Sequence, residues 1–263
     1  VRRRHAAYYL ALAERAAAAL TGPEQGPWLD RLNRDHDNLR AALRCLLDGG
    51  EADAALRMAV ALVRFWAVRG HLTEGRRWLG EALGACRGTA PLWRAQALNG
   101  AGELAARQGD YAAARALHQE ALAVGRELGD RVRVAANLIG LGEVATDRGE
   151  HDQAAALLEE GLVRWRELGH KRSFADGLEA FAGLAGAQRR PRRAARLLGA
   201  AAGLRDALGL PLPPAERPRY ERHEAAARAA PGDEVFVRTR AEGKAMTPEQ
   251  AVAYALEDAP DAA

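Results

Sequence analysis

Apolar side chains recur along this chain at helical spacing, in runs of roughly fifteen to twenty residues broken by glycine or proline. The pattern predicts a first pair of helices at roughly 3–20 and 28–47, separated by the breaker Thr21-Gly22-Pro23 and closed by Gly49-Gly50. Four clearer pairs follow, at roughly 52–69 and 73–86, 91–108 and 111–128, 131–148 and 151–168, and 171–188 and 192–208. Pro211, Pro213, Pro214 and Pro218 then crowd one short stretch, which forbids regular helix and marks the end of the array. Three short helices, near 215–229, 233–241 and 248–258, complete the expected chain. Thr247-Pro248-Glu249-Gln250 starts the last of them, with Thr at N-cap, Pro at N1 and Gln at N3 of a capping box.

The pairs repeat. Arg126-Glu127-Leu128-Gly129, Arg166-Glu167-Leu168-Gly169 and the degenerate Asp206-Ala207-Leu208-Gly209 lie forty residues apart. Small residues keep the same register: Gly109 and Gly149; Ala114, Ala154 and Ala194; Ala121, Gly161 and Ala201. Fixed-period similarity with two helices per unit means stacked helix pairs, each too small to bury its apolar face alone. In the unit ending at Gly129, Leu98, Gly102 and Ala105 share one face of the first helix, and Ala114, Ala121 and Leu122 share one face of the second. Gly109 takes the turn, where positive φ is needed, and Asp110 caps the next helix. The fourth unit carries Arg189 at the turn position, which leaves that turn less well specified. The expected organisation is a degenerate helix pair over 1–49, four repeats over 50–209 (about 50–88, 90–129, 130–169 and 170–209) and a helical cap over 210–263.

This order of small residue, turn Gly, Ala and Ala-Leu resembles the tetratricopeptide repeat, most strongly over 90–170. The implied fold is all-α: a right-handed superhelical solenoid of antiparallel helix pairs with helical caps. The period of about forty exceeds the usual thirty-four, and the extra residues follow Ala121-Leu122, so the second helix of each pair should be longer. Asn33-Arg34-Asp35-His36-Asp37-Asn38-Leu39-Arg40, Arg196-Leu197-Leu198-Gly199-Ala200-Ala201 and Leu208-Gly209-Leu210-Pro211 extend the likeness. With them the chain resembles the C-terminal sensor region of STAND-class bacterial transcription regulators, LuxR-like or antibiotic-regulator-like, which carry an NB-ARC-type ATPase upstream. That resemblance implies a sensor or protein-interaction module that binds a partner or inducer and relays the event to the ATPase. The alternative is a free-standing adaptor or scaffold with no attached switch.

Composition narrows the chemistry. The 38 Lys and Arg are interleaved with 35 Asp and Glu, giving a net charge of +3 and a mixed surface, so direct nucleic-acid contact is not expected despite a pI of about 9.1. Nearly all the cations are Arg, a bias attributed to a GC-rich genome. Cys45 and Cys86 are too few for a disulfide framework, which favours the cytoplasm. No apolar run reaches the ~20 residues a membrane span needs. The opening Val1-Arg2-Arg3-Arg4 imitates a signal peptide, but Glu14-Arg15 interrupts the apolar run and an amphipathic helix is expected. The chain starts with Val, as a piece of a longer protein would.

No phosphate-binding loop surrounds Gly243-Lys244, and the histidines are scattered without the spacing of a ligand set, so no cofactor, metal or catalytic residue is expected. His118, His151 and His170 fall at helix starts or exposed repeat positions. Arg189-Arg190-Pro191-Arg192-Arg193 reads as a solvated basic cluster on a turn. In tetratricopeptide arrays the first helix of each pair lines the concave side. The resemblance therefore implies a partner-binding face of Arg57, Arg64, Gln96, Asn99, Glu103, Arg107, Glu143, Asp147, Asp176 and Glu179, basic at one end and acidic at the other. The expected partner is a protein or peptide, including the upstream ATPase domain of the same polypeptide, or a small inducer, with no membrane involved.

Overall fold

A computed structural model describes residues 1–20, 22, 24–86, 91–212, 216–229 and 232–257. Among them are fourteen helices and no strand. The chain divides into two compact units, Val1–Arg133 and Val134–Ala263. Thr21 and Pro23 of the expected break, Pro213 and Pro214 of the proline cluster, and the last residue of the final expected helix lie outside the described residues.

The first unit contains α1 (Arg2–Ala19), α2 (Gln25–Arg34), α3 (His36–Asp48), α4 (Ala52–Arg69), α5 (Leu72–Ala85), α6 (Pro91–Arg107) and α7 (Tyr111–Glu127). α1 packs on α3 and α4, α4 on α5 and α6, and α6 on α7. Phe65, Trp66, Leu56, Met58, Leu62 and Leu79 are fully buried at the centre of this stack. The helix expected over 28–47 is two helices, α2 and α3, broken at Asp35 (φ −89°, ψ 10°). The break falls in a run of short polar side chains, Asn33, Asp35, Asp37 and Asn38, which have low helix preference. Here Asp35 Oδ1 accepts hydrogen bonds from Tyr9 Oη (3.3 Å) and Asn38 Nδ2 (3.4 Å).

The second unit holds most of α8 (Arg131–Asp147), then α9 (His151–Leu168), α10 (Lys171–Ala187), α11 (Pro191–Leu208), α12 (Arg217–Ala229), α13 (Asp233–Lys244) and α14 (Pro248–Leu256). α9 packs on α10 and α10 on α11, while α11 also meets α12, α13 and α14. The capping box at the start of α14 forms, with Thr247 Oγ1 accepting from Gln250 N–H (3.2 Å) and Gln250 Oε1 from Thr247 N–H (2.9 Å). The contact of α11 with α13 is between backbones. A methyl group on Gly199 would overlap the carbonyl oxygen of Arg240, and one on Gly243 would overlap that of Arg196.

Both units are built from helix pairs joined by tight turns. Gly109 closes α6 at φ 77°, and the carboxylate of Asp110 accepts the Ala113 N–H (3.2 Å) as the cap of α7. Arg189, which lacks the freedom of glycine, takes the same left-handed conformation at φ 59°. The turn between α10 and α11 is thus kept without its glycine. The second helices α7, α9 and α11 run to 17, 18 and 18 residues, as the long period requires, whereas α5, the second helix of the first repeat, has 14. One expected environment is corrected. His118 is buried, not solvated, because its imidazole fills the space that Gly102 leaves open between α6 and α7.

Candidate functional site

In the first unit the anticipated face is formed by α4 and α6. Arg57 is half-buried, donates from Nε to Glu14 Oε1 (3.0 Å) and lies over the Trp93 ring (5.7 Å to its centroid). Arg64, also half-buried, has its Nη1 atom buried with no hydrogen-bond partner. Gln96 and Asn99 are half-buried on α6, followed by Glu103 and Arg107, which form an ion pair one turn apart (3.1 Å). The spacing of four explains that pair, and so close a pair on one helix contributes only about 0.3–0.5 kcal/mol. The face therefore keeps a polar, partly desolvated surface whose most unbalanced group is a guanidinium.

The corresponding acids of the second unit are engaged inside the chain. Arg205 of α11 donates from Nη2 to Asp176 Oδ1 (2.7 Å) and from Nε to Glu179 Oε1 (2.8 Å). Glu179 is buried, and burial pushes its carboxyl up to about 7 even though Arg205 donates to it. Glu143 of α8 forms an ion pair with Arg219 of α12, and Arg219 and Arg222 place positive charge beside Asp147. α12 lies against α10 as well: a methyl group on Gly183 would overlap the His223 imidazole, and Ala226 faces Gly186. Gly183 and Gly186 continue the helical stripe of Asp176 and Glu179, so a helix of the chain itself sits along the stripe the sequence assigned to a partner. Arg205, Arg219 and His223 carry no signal in the repeat, since two of them belong to the cap and the third to a second helix.

A second constellation was not legible at all. His36 from α3, His71 at the N-cap of α5 and Glu74 from the first turn of α5 bring one nitrogen or oxygen each to within 4.8 Å of one another. The Arg40 guanidinium grips both oxygens of Glu74, Nε to Oε1 (2.7 Å) and Nη2 to Oε2 (2.6 Å), while Trp78 Nε1 donates to Oε1 (3.2 Å). Hydrogen bonds from Arg40 hold the Glu74 carboxyl down at about 2, and burial pushes His36 below the usual imidazole range. His36 lies edge-on to Phe65 (5.2 Å) and 4.4 Å from the His71 ring, centroid to centroid. Cys45 is half-buried, and Cys86 is buried with its thiol donating to Asp53 Oδ1 (3.3 Å).

Among the described residues, no helix is long and apolar enough to cross a membrane. No curated protein matches the chain. Over residues 93–167, which take in α6 to α9 almost entirely, the sequence matches the family model of the tetratricopeptide repeat, whose arrays generally mediate protein–protein interaction.

Proposed function

We propose that this chain is the sensor and protein-interaction arm of a bacterial signalling ATPase and transcription regulator, binding a protein segment or inducer on the polar faces of its helix pairs. The observation that carries the reading is α12. A helix bearing Arg219 and His223 lies along the α10 stripe and pairs with Glu143, so the second unit accommodates a helical segment in cis. An internal occupant that a partner can displace is what a switch needs, and an adaptor has no use for one. On the face of α4 and α6, the buried Nη1 of Arg64 lacks a hydrogen bond from the described residues, one that an acidic side chain of a partner would supply.

The first test is to read the coding frame upstream of Val1. A P-loop ATPase in frame, followed by measurable binding of the purified ATPase domain to this chain, supports the reading. A start codon immediately upstream turns the search to foreign peptides. On the binding-competent pair, Arg64→Ala is expected to weaken affinity about tenfold or more. Arg107→Ala should also weaken it without unfolding the array, and unchanged affinity in both variants excludes the face on α4 and α6.

A further inference from the structure

We propose that His36, His71 and Glu74 form a binding site for a divalent transition metal of the Zn²⁺ type in the first unit. His36 Nε2 lies 3.3 Å from Glu74 Oε1, yet that nitrogen is buried and makes no hydrogen bond. Two polar atoms so close without a hydrogen bond between them are not aligned on each other. In a tetrahedral site with bonds of about 2.0–2.1 Å, neighbouring ligand atoms are about 3.3–3.4 Å apart and both point at a third position. The Nε2 of His71 is likewise buried and without a partner. The donor atoms of all three residues already fall within 4.8 Å of one another, so closure to bonding geometry asks for a movement of roughly 1.4 Å at most.

The surroundings favour a held ligand set. Phe65 packs against both imidazoles, 5.2 Å from His36 and 5.6 Å from His71 between centroids, and so restricts their rotation. Arg40 and Trp78 fix the Glu74 carboxylate from outside: Oε1 accepts from both, Oε2 from Arg40 alone, so Oε2 keeps a lone pair for a cation. The Arg40 charge opposes a cation, but its Nη1 is shared with Asp37 (2.9 Å), so two carboxylates face one guanidinium and the cluster keeps an excess negative charge. The side chains of His36 and Glu74 are 12% and 15% exposed, which leaves an entry path. Two imidazoles and one carboxylate suit Zn²⁺ better than Mg²⁺ or Ca²⁺, and three protein ligands leave a fourth position open. An ion there would tie α3, the α4–α5 turn and α5 together.

The test uses the full untagged chain, stripped with EDTA. Zn²⁺ should bind one per chain by titration calorimetry and raise Tm by roughly 5–10 °C at about a hundredfold excess over Kd, whereas Mg²⁺ should do neither. Co²⁺ should give the intense visible absorption of a tetrahedral site. Both signals should vanish in His71→Gln and in His36→Gln and persist in His151→Gln, which removes a histidine of the second unit. No Co²⁺ absorption in the wild-type chain overturns the proposal even if a variant fails to fold. So does a Zn²⁺ response that survives His71→Gln.

Discussion

Leu138 is 1% exposed on α8, buried as the helical spacing of the sequence requires. Leu138→Ala should cost about 2–5 kcal/mol in urea unfolding, the spread reflecting how far α8 can settle into the vacated space. His223 presents the opposite case. Nothing in its own segment marks it as buried, but α12 seats its ring over Gly183 and leaves Nδ1 without a partner. Burial, reinforced by the Arg219 and Arg222 charges, pushes the imidazole down to about 4. The unfolded chain, with the ordinary value of 6.5, then binds the extra proton. The stability gained from a neutral His223 is complete above about pH 6.5 and is lost as pH falls through about 4. Unfolding free energy should drop by roughly 1–3 kcal/mol from this residue between pH 7 and pH 4, a slope that His223→Gln flattens. An NMR titration showing His223 protonating near 6.5 would mean α12 is not seated as described.

Elements follow local rules, and most of them were readable for that reason. A turn glycine, a capping aspartate and a small-residue register act over a few residues, so α6 to α11 arise close to where the repeat places them. The α2–α3 break escaped the apolar pattern because hydrophobic periodicity runs through it, although it falls in a polar run of low helix preference around Asp35. Arg189 shows the array overriding local preference. Its left-handed backbone costs about 1–2 kcal/mol, against about 0.5–1 kcal/mol of extra unfolded-state entropy for glycine. Arg189→Gly should therefore stabilise by about 0.5–1 kcal/mol, visible as a small rise in Tm. Between α11 and α13 the backbones are too close for a side chain. Gly199→Ala should push α13 outward at a cost of about 1–3 kcal/mol, measured by thermal unfolding, and a neutral effect would contradict the crossing.

At the scale of the whole molecule, the question is which polar faces remain open. In the second unit the chain answers it internally, through Arg205 on Asp176 and Glu179 and through α12 on Glu143. Arg219→Ala removes the ion pair between Glu143 and α12 and should loosen α12, raising its rate of proteolytic cleavage roughly tenfold while the circular dichroism of the chain changes little. Equal cleavage of variant and wild type would show that α12 is held by packing alone. By itself the sequence determined the all-α class and the helices of the repeats, because each helix is set by residues within one or two turns of each other, and the forty-residue period shows when one unit is compared with the next. Only tertiary structure decided that His118 is buried, that the cap helix α12 covers α10, and that His36 meets His71 and Glu74. Those contacts join residues from different helices, and no spacing rule along the chain encodes which side chains the packing of helix on helix will bring together.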